Sequence, residues 1–472
     1  MRHARLVFLS LVLAPACGQP LQSLAPPAGE DGGQVGGALD AGSGRPPGAD
    51  AGPGMTADAG GSLDAGSGGA ADAGVPDGGA PDGGGAAAHG CGSLGGGALG
   101  GPADLFNCGS PWYRDISALP PAASSAAIKS AIAGAGGWGN GNVLSITFDF
   151  ALLHADASTP RRPVSIARQG PADTNDYYPD DSDLLPGTTS AGWPVPTPAG
   201  GRLEDQPGYA CPTANGQRTM DCHLTVVDDS RHLLFELFSA SYDAASNRWS
   251  ATQESVWNLA FDYGQNNRGF TCTSADASGL PVAAGLIGVR EMSAAAKIDG
   301  TLDHAVRFIL PGSRIRRAFV APATHTQSVA YLAGGPPFGA RLRLRASFDE
   351  SKLATAGARV LARTLKKHGM ILIDSGEYAL TAESDALTRQ QDPALTWSGL
   401  LGAFDLNVLQ VADFDVVDLK ESDVYSGPGS CSVDRTALQG VPQQAPRSPE
   451  GRSRKRRHGK GAVSPAPVRS HR

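Results

Sequence analysis

A mostly β fold, an antiparallel sandwich or jelly roll with a few helices packed on its edge and a disordered stalk ahead of it, is what this sequence predicts. Three observations lead there. Several segments within residues 89–446 alternate apolar and polar side chains with period two, as half-buried strands do. Only two segments carry helix signals, and neither belongs to the strand–helix repeat of a parallel sheet. The composition breaks sharply at both ends of that region.

The N-terminal break comes first. Met1, Arg2, His3 and Arg5 precede an apolar run over 6–13, then Ala14, Pro15, Ala16 and Cys17. A basic start, a short apolar run and small residues before a cut describe a secretory signal, because a membrane span needs about 20 apolar residues. The cysteine after Ala16 fits a lipoprotein-type signal over 1–17, with Cys17 acylated; Leu13 departs from the preferred pattern by one place. Residues 18–88 are almost wholly Gly, Ala, Asp, Pro and Ser, with Asp-Ala-Gly steps at Asp40, Asp50, Asp58, Asp64 and Asp72. Such a stretch cannot bury enough surface to offset chain entropy and is expected to be a disordered stalk. It lacks the regular apolar positions that a stacked calcium-binding repeat needs.

The body, 89–446, is read as one β-rich domain. Residues 145–152 place Ile146, Phe148, Phe150 and Leu152 on one face and Thr147 and Asp149 on the other. A three-strand meander is expected over 224–227, 232–242 and 248–259, with further strands at 305–310, 318–321, 340–346, 370–373 and 413–417. Residues 124–133 read as a short Ala-rich helix. Residues 351–368 read as a second, with Asp349 as N-cap, Lys366, Lys367 and His368 in the last turn and Gly369 as the stop.

Seven cysteines are present: Cys17, Cys91, Cys108, Cys211, Cys222, Cys272 and Cys431. With Cys17 lipidated, an even number remains for an oxidising compartment. Six cysteines allow 15 pairings. Cys91–Cys108 and Cys211–Cys222 are plausible local loops, which leaves Cys272–Cys431 to tie the middle of the chain to its end. No Cys-x-x-Cys pair exists and the spacings fit no zinc pattern, so neither metal nor cofactor is expected.

The C-terminal break is a basic, disordered tail over 447–472, with Arg452, Arg454, Lys455, Arg456 and Arg457 nearly consecutive. It masks the charge of the body, which is more acidic than the formal −7 of the whole chain. An acidic body argues against a nucleic-acid partner. Membrane contact is expected through the N-terminal lipid only.

No Gly-x-Ser-x-Gly elbow, His-Glu-x-x-His, phosphate loop or dinucleotide fingerprint occurs, so chemistry must come from residues gathered off separate strands. Glu236 shares a strand face with His232, Leu234 and Phe238; among apolar neighbours it can act as a general acid or sit as an ion-paired strand residue. Asp276 lies in the polar loop 273–281 beside Cys272, where it can approach a ligand or cap a turn. Asp149 and Asp374 are substitutes. His304 and Arg307 fall on opposite faces of one strand, and His325 sits in a loop after Pro322; each can orient substrate or be an ordinary structural residue. Arg341, Arg343 and Arg345 alternate with Leu342 and Leu344, forming a stripe that grips acidic groups or faces solvent.

Segments 153–160, 208–211, 222–224 (Cys222, His223, Leu224), 273–281, 303–311, 322–325 (Pro322, Ala323, Thr324, His325) and 367–371 together resemble a family of exported, β-rich bacterial lipoprotein-type proteins to which no activity is assigned. The resemblance implies export and carries over no catalytic residue. The function expected is that of an exported, surface-tethered protein that binds or cleaves an extracellular polysaccharide. The alternatives are a non-catalytic lectin or adhesion module and a lyase on acidic glycans using the arginine stripe. In a hydrolase, Glu236 and Asp276 would be the catalytic pair, with Asp149 or Asp374 standing in and His304, Arg307, His325 and Arg343 holding substrate.

Overall fold

Period-two alternation becomes strand wherever one face can be covered, and ten strands build the two larger sheets. The computed structural model describes residues 104–167, 179–327, 331–427 and 429–443. Cys17, Cys91, the expected stalk and the basic tail lie outside them. The chain divides into Met1–Ala80 and Pro81–Arg472, and every described residue belongs to the second unit. The ten strands are β1 (Ile146–Phe150), β2 (Leu152–Ala155), β3 (Leu224–Asp228), β4 (Leu233–Phe238), β5 (Gln253–Asn258), β6 (Val306–Leu310), β7 (Arg341–Leu344), β8 (Met370–Ser375), β9 (Leu380–Glu383) and β10 (Phe414–Val417). One sheet runs β1-β9-β6-β8-β7-β10 and the other β5-β4-β3-β2. Four helices accompany them: α1 (Ser125–Gly134), α2 (Val289–Lys297), α3 (Ala356–Lys367) and α4 (Thr388–Gln391).

The molecule is β-rich with sparse helices, and its sheets are mixed. Pairs β1/β9, β6/β8 and β2/β3 are parallel; pairs β5/β4, β4/β3, β7/β8 and β7/β10 are antiparallel. The long connection between β6 and β8 carries β7 and α3, which supplies the crossover that a parallel pair requires. α3 buries Ala358, Val360, Leu361, Ala362 and Leu365 and packs on β7, while α1 packs on β10.

Local chemistry explains the departures from the expected elements. The alternating run 145–152 breaks at Ala151, so β1 joins the six-stranded sheet and β2 the four-stranded one. The third meander strand also breaks, at Thr252: Arg248–Ala251 pairs with Val164–Ile166 and Ser241–Asp243, and only β5 stays with β4. Residues 318–321 form isolated bridges through Phe319 rather than a strand; Pro322 offers no amide to extend the ladder. Asp349 caps a short 3-10 turn, Glu350–Lys352, and Thr355 caps α3 by accepting from the Ala358 amide. α2 has no polar N-cap side chain; Glu291 reaches back to the Gly288 amide instead, 2.8 Å away.

The arginine stripe has a structural task. Arg341 Nη2 donates to the Pro111 carbonyl at 2.5 Å, and Arg343 Nη1 reaches the carbonyls of Ile116, Ser117 and Leu119 at 2.5–2.9 Å. Arg345 pairs with Asp415. The stripe clamps the segment around 111–119 onto β7, which corrects the expectation of a substrate grip at Arg343. Replacing Arg343 by Met leaves those carbonyls without their charged donor and is expected to cost about 1.5–3 kcal/mol. Urea denaturation measures the loss, and amide exchange near 116–119 should rise with it.

Two disulfides join Cys211 to Cys222 and Cys272 to Cys431. Cys108 is also disulfide-bonded, and its expected partner, Cys91, lies outside the described residues. Among the described residues no helix is long and apolar enough to cross a membrane.

Candidate functional site

Thr273, Ser274, Asp276 and Ser278 share a loop whose small polar side chains satisfy one another, and all four are buried. Ser278 donates through both amide and hydroxyl to Asp276 Oδ1, at 3.1 and 2.9 Å. Cys272 anchors one end through its disulfide, and Thr324 fastens the same point by donating to the Cys272 carbonyl. On β6, Arg307 sends Nη2 to Asp276 Oδ2 at 2.6 Å and Nη1 to Thr381 Oγ1 on β9 at 3.0 Å. Its guanidinium also lies over the Phe150 ring, 5.0 Å from the centroid. Asp276 is fully buried and Arg307 is 2 % exposed, so this is an ion pair inside the protein.

Asp374, near the end of β8, is half-buried. Its Oδ1 accepts from Gln327 Nε2 at 2.8 Å and from the Ser375 amide at 2.7 Å. Burial, then the neighbouring Asp276 carboxylate, push it up to about 8 against the pull of Arg307. Burial raises Asp276 as well, so the two neighbouring carboxyl groups together hold a proton to higher pH than free carboxylates do, as a general acid must.

His223 also lies against Phe150, with ring centroids 5.5 Å apart. Its Nδ1 meets Glu204 Oε2 at 2.6 Å and its Nε2 meets the Ala275 carbonyl at 2.8 Å. Both ring nitrogens face acceptors, so the ring is an imidazolium. Burial opposes that charge, but Glu204 outweighs it and His223 rises to about 9. Glu204 is pushed up by burial and pulled down further by His223, so it stays below its ordinary range. Asp221 is raised by burial. Asp205, whose amide donates to the Asp149 carbonyl, is raised by burial and then by Asp149. Thr147 donates its hydroxyl to Asp149.

The His223–Glu204 pair gives a pH signature. His223 is raised above its unfolded value of 6.5, so its contribution to stability is complete below 6.5 and is lost as pH rises through about 9. Glu204 is lowered, so its share is present above 4.5 and is lost as pH falls further. The denaturation midpoint should decline across pH 6.5–9, and His223→Gln should flatten that limb.

Asp276, Arg307 and Asp374, three of the residues singled out in the sequence, thus meet, whereas Asp149 lies beside Asp205. His325 touches the same loop, with Nδ1 2.8 Å from the Ala277 carbonyl. Glu236 does not face a ligand. It is fully buried, accepts from the Trp257 indole at 3.0 Å and the Ala283 amide at 2.8 Å, and works as a structural acceptor. Asp276 is likewise sealed, which removes the expected catalytic pair. His304 is also sealed, between the Ala305 carbonyl at 2.7 Å and Glu291 Oε1 at 3.0 Å, and holds α2 rather than substrate. Sequence reasoning missed Glu204, Asp205, Asp221 and His223 as site members; the one available signal was His223 beside a disulfide cysteine. Among the described residues, Asp181, Cys272 and Cys431 gather as potential metal ligands, but the two sulfurs are bonded to each other.

Comparisons with protein-family profiles, with curated proteins and with solved structures find no match to this chain.

Proposed function

We propose that this is an exported, surface-tethered domain that cleaves an extracellular polysaccharide, with Asp374 as proton donor and Glu204 as its ionised counterpart. The observation that carries the reading is a group of four carboxyl groups (Glu204, Asp221, Asp276 and Asp374) near Arg307 and His223, in which burial raises Asp374 and His223 holds Glu204 below its ordinary range. Glycosidic hydrolysis needs that division of roles between two carboxyl groups. In the reaction Asp374 gives its proton to the glycosidic oxygen as the C–O bond breaks. Glu204 stabilises the positive charge on the sugar or takes a proton from the attacking water. Burial and then the Asp276 carboxylate raise Asp374, against the pull of Arg307. Disulfides suit an oxidising compartment outside the cytoplasm, and lipidated Cys17 would supply the tether.

A lectin is the second reading, favoured by the sealing of Glu236 and Asp276 away from any ligand. Reducing-end release from a panel of neutral and acidic polysaccharides, with wild type and Asp374→Asn, separates the two. Release that Asp374→Asn abolishes supports hydrolysis; binding without release by the wild type points to the lectin. A lyase is disfavoured by the occupied arginine stripe, and it would give an ultraviolet-absorbing product.

A further inference from the structure

Asp374 and Ser375 close β8 just after its pairing with β6 steps by one residue: Phe308 faces Leu372 and Ile309 faces Asp374, which leaves Ile373 between them. A regular strand sends neighbouring side chains to opposite faces, and a step of this kind re-aims them. Here both side chains reach one amide. Gln327 Nε2 donates to Asp374 Oδ1 at 2.8 Å, and Ser375 Oγ donates to Gln327 Oε1 at 2.6 Å. Gln327 itself follows a fastened segment. Thr324 and His325 both donate backbone amides to the Ser278 carbonyl, at 2.9 and 3.1 Å, and His325 Nδ1 stands 2.8 Å from the Ala277 carbonyl. The loop that holds Asp276 and the strand end that holds Asp374 are thus joined through residues 324–327.

The donors sort the two oxygens of Asp374. Oδ1 takes two N–H groups, from Gln327 and from the Ser375 amide at 2.7 Å, whereas Oδ2 meets no hydrogen-bond donor among the described residues. An oxygen that already accepts two hydrogen bonds is the poorer place for a proton, so the neutral acid carries its hydrogen on Oδ2. Asp374 is half-buried, unlike the sealed Asp276. The Ser375 hydroxyl decides which end of the Gln327 amide faces the carboxyl group. With its hydrogen directed to Oε1, the NH2 end is turned to Oδ1; the reversed amide would set an oxygen against an oxygen.

From this geometry we infer that Gln327 is a positioning residue for Asp374: with the Ser375 amide it fixes Oδ1 as the acceptor and Oδ2 as the oxygen that carries and delivers the proton. Only the delivery rests on the polysaccharide reading above; the placement of the proton does not. The test is an NMR titration of the Asp374 carboxyl carbon, its signal assigned by loss in Asp374→Asn, in the intact oxidised protein and in Gln327→Leu and Ser375→Ala. The charged groups that also act on Asp374, namely Asp276, Arg307 and Asp221, are the same in all three proteins. A hydrogen bond donated to a carboxylate favours its charged form, so losing the donor moves the midpoint up. The expected result is a rise of about 1 pH unit in Gln327→Leu and a smaller rise in Ser375→Ala. The alkaline limb of reducing-end release should move with the midpoint, and in Gln327→Leu kcat should fall roughly tenfold from lost orientation while KM holds. An unmoved midpoint in both variants would overturn the inference, because a merely structural tie alters the denaturation midpoint and leaves the titration in place. A fall in the midpoint would overturn it too, since Gln327 would then accept from Asp374 instead of donating. A rise in a protein that cleaves no polysaccharide supports the placement of the proton and removes only the catalytic reading.

Discussion

Arg307→Met is expected to lower the unfolding free energy by about 3–5 kcal/mol, the usual effect of removing one partner from a buried ion pair. The side chain is 2 % exposed and its partner Asp276 is fully buried, so the abandoned carboxylate has no route to water. Ser278 still donates twice to Asp276, which softens the loss without replacing a charge. Guanidinium unfolding at pH 7 measures it, and adding Asp276→Asn should recover part of the deficit, because the two residues act as a unit. A loss below about 1 kcal/mol, the scale of exposed pairs, would mean that water reaches the pair.

The second large effect concerns Cys272–Cys431. The bridge spans 159 residues, and the chain-entropy account gives about 5 kcal/mol for a loop of that size. Cys211–Cys222 spans 11 residues, for which the same account gives about 3 kcal/mol. The Cys272→Ser, Cys431→Ser pair should therefore lower stability more than the Cys211→Ser, Cys222→Ser pair. Denaturant midpoints of the two double variants make the comparison. Because Cys272 anchors the loop that carries Asp276, the long-range variant should also loosen the site, visible as faster amide exchange across 273–281. Equal losses in the two variants would contradict this ordering.

Much of the architecture was readable because it depends on local signals. Period-two alternation marked β3, β4, β6 and β8, and charged last turns with Gly369 marked the end of α3. Parity and short spacing pointed to the two disulfides formed among the described residues. What escaped has long-range causes. α2 takes its cap from Glu291 rather than from a residue preceding the helix. β9 has only four residues, and its place between β1 and β6 is set by tertiary pairing. The break at Ala151 reads as one strand in sequence because both halves alternate; only the presence of two sheets separates them.

The site was half readable for a similar reason. Asp276, Arg307 and Asp374 stood out as charged residues in apolar or constrained settings, and the fold brings them together. Face sorting did not tell that Glu236 and His304 point into packed interior, because burial on both faces of a strand leaves no periodic trace. Glu236 lies on a strand whose six residues are all buried. Glu204 and His223 are 19 residues apart and meet only after the chain folds. The arginine stripe shows the converse: three alternating cations looked like a surface device, yet backbone carbonyls and Asp415 absorb them.

In the proposed reaction Asp374 delivers a proton to a glycosidic bond. Its most direct test is the pH dependence of reducing-end release by wild type and Asp374→Asn, each shown to be folded with its disulfides intact. The expected wild-type rate falls as pH rises through about 8, and the Asp374→Asn rate is lower by about 10²–10⁴ with unchanged oligosaccharide binding. A variant that releases reducing ends as fast as wild type, with the same pH limb, would contradict it.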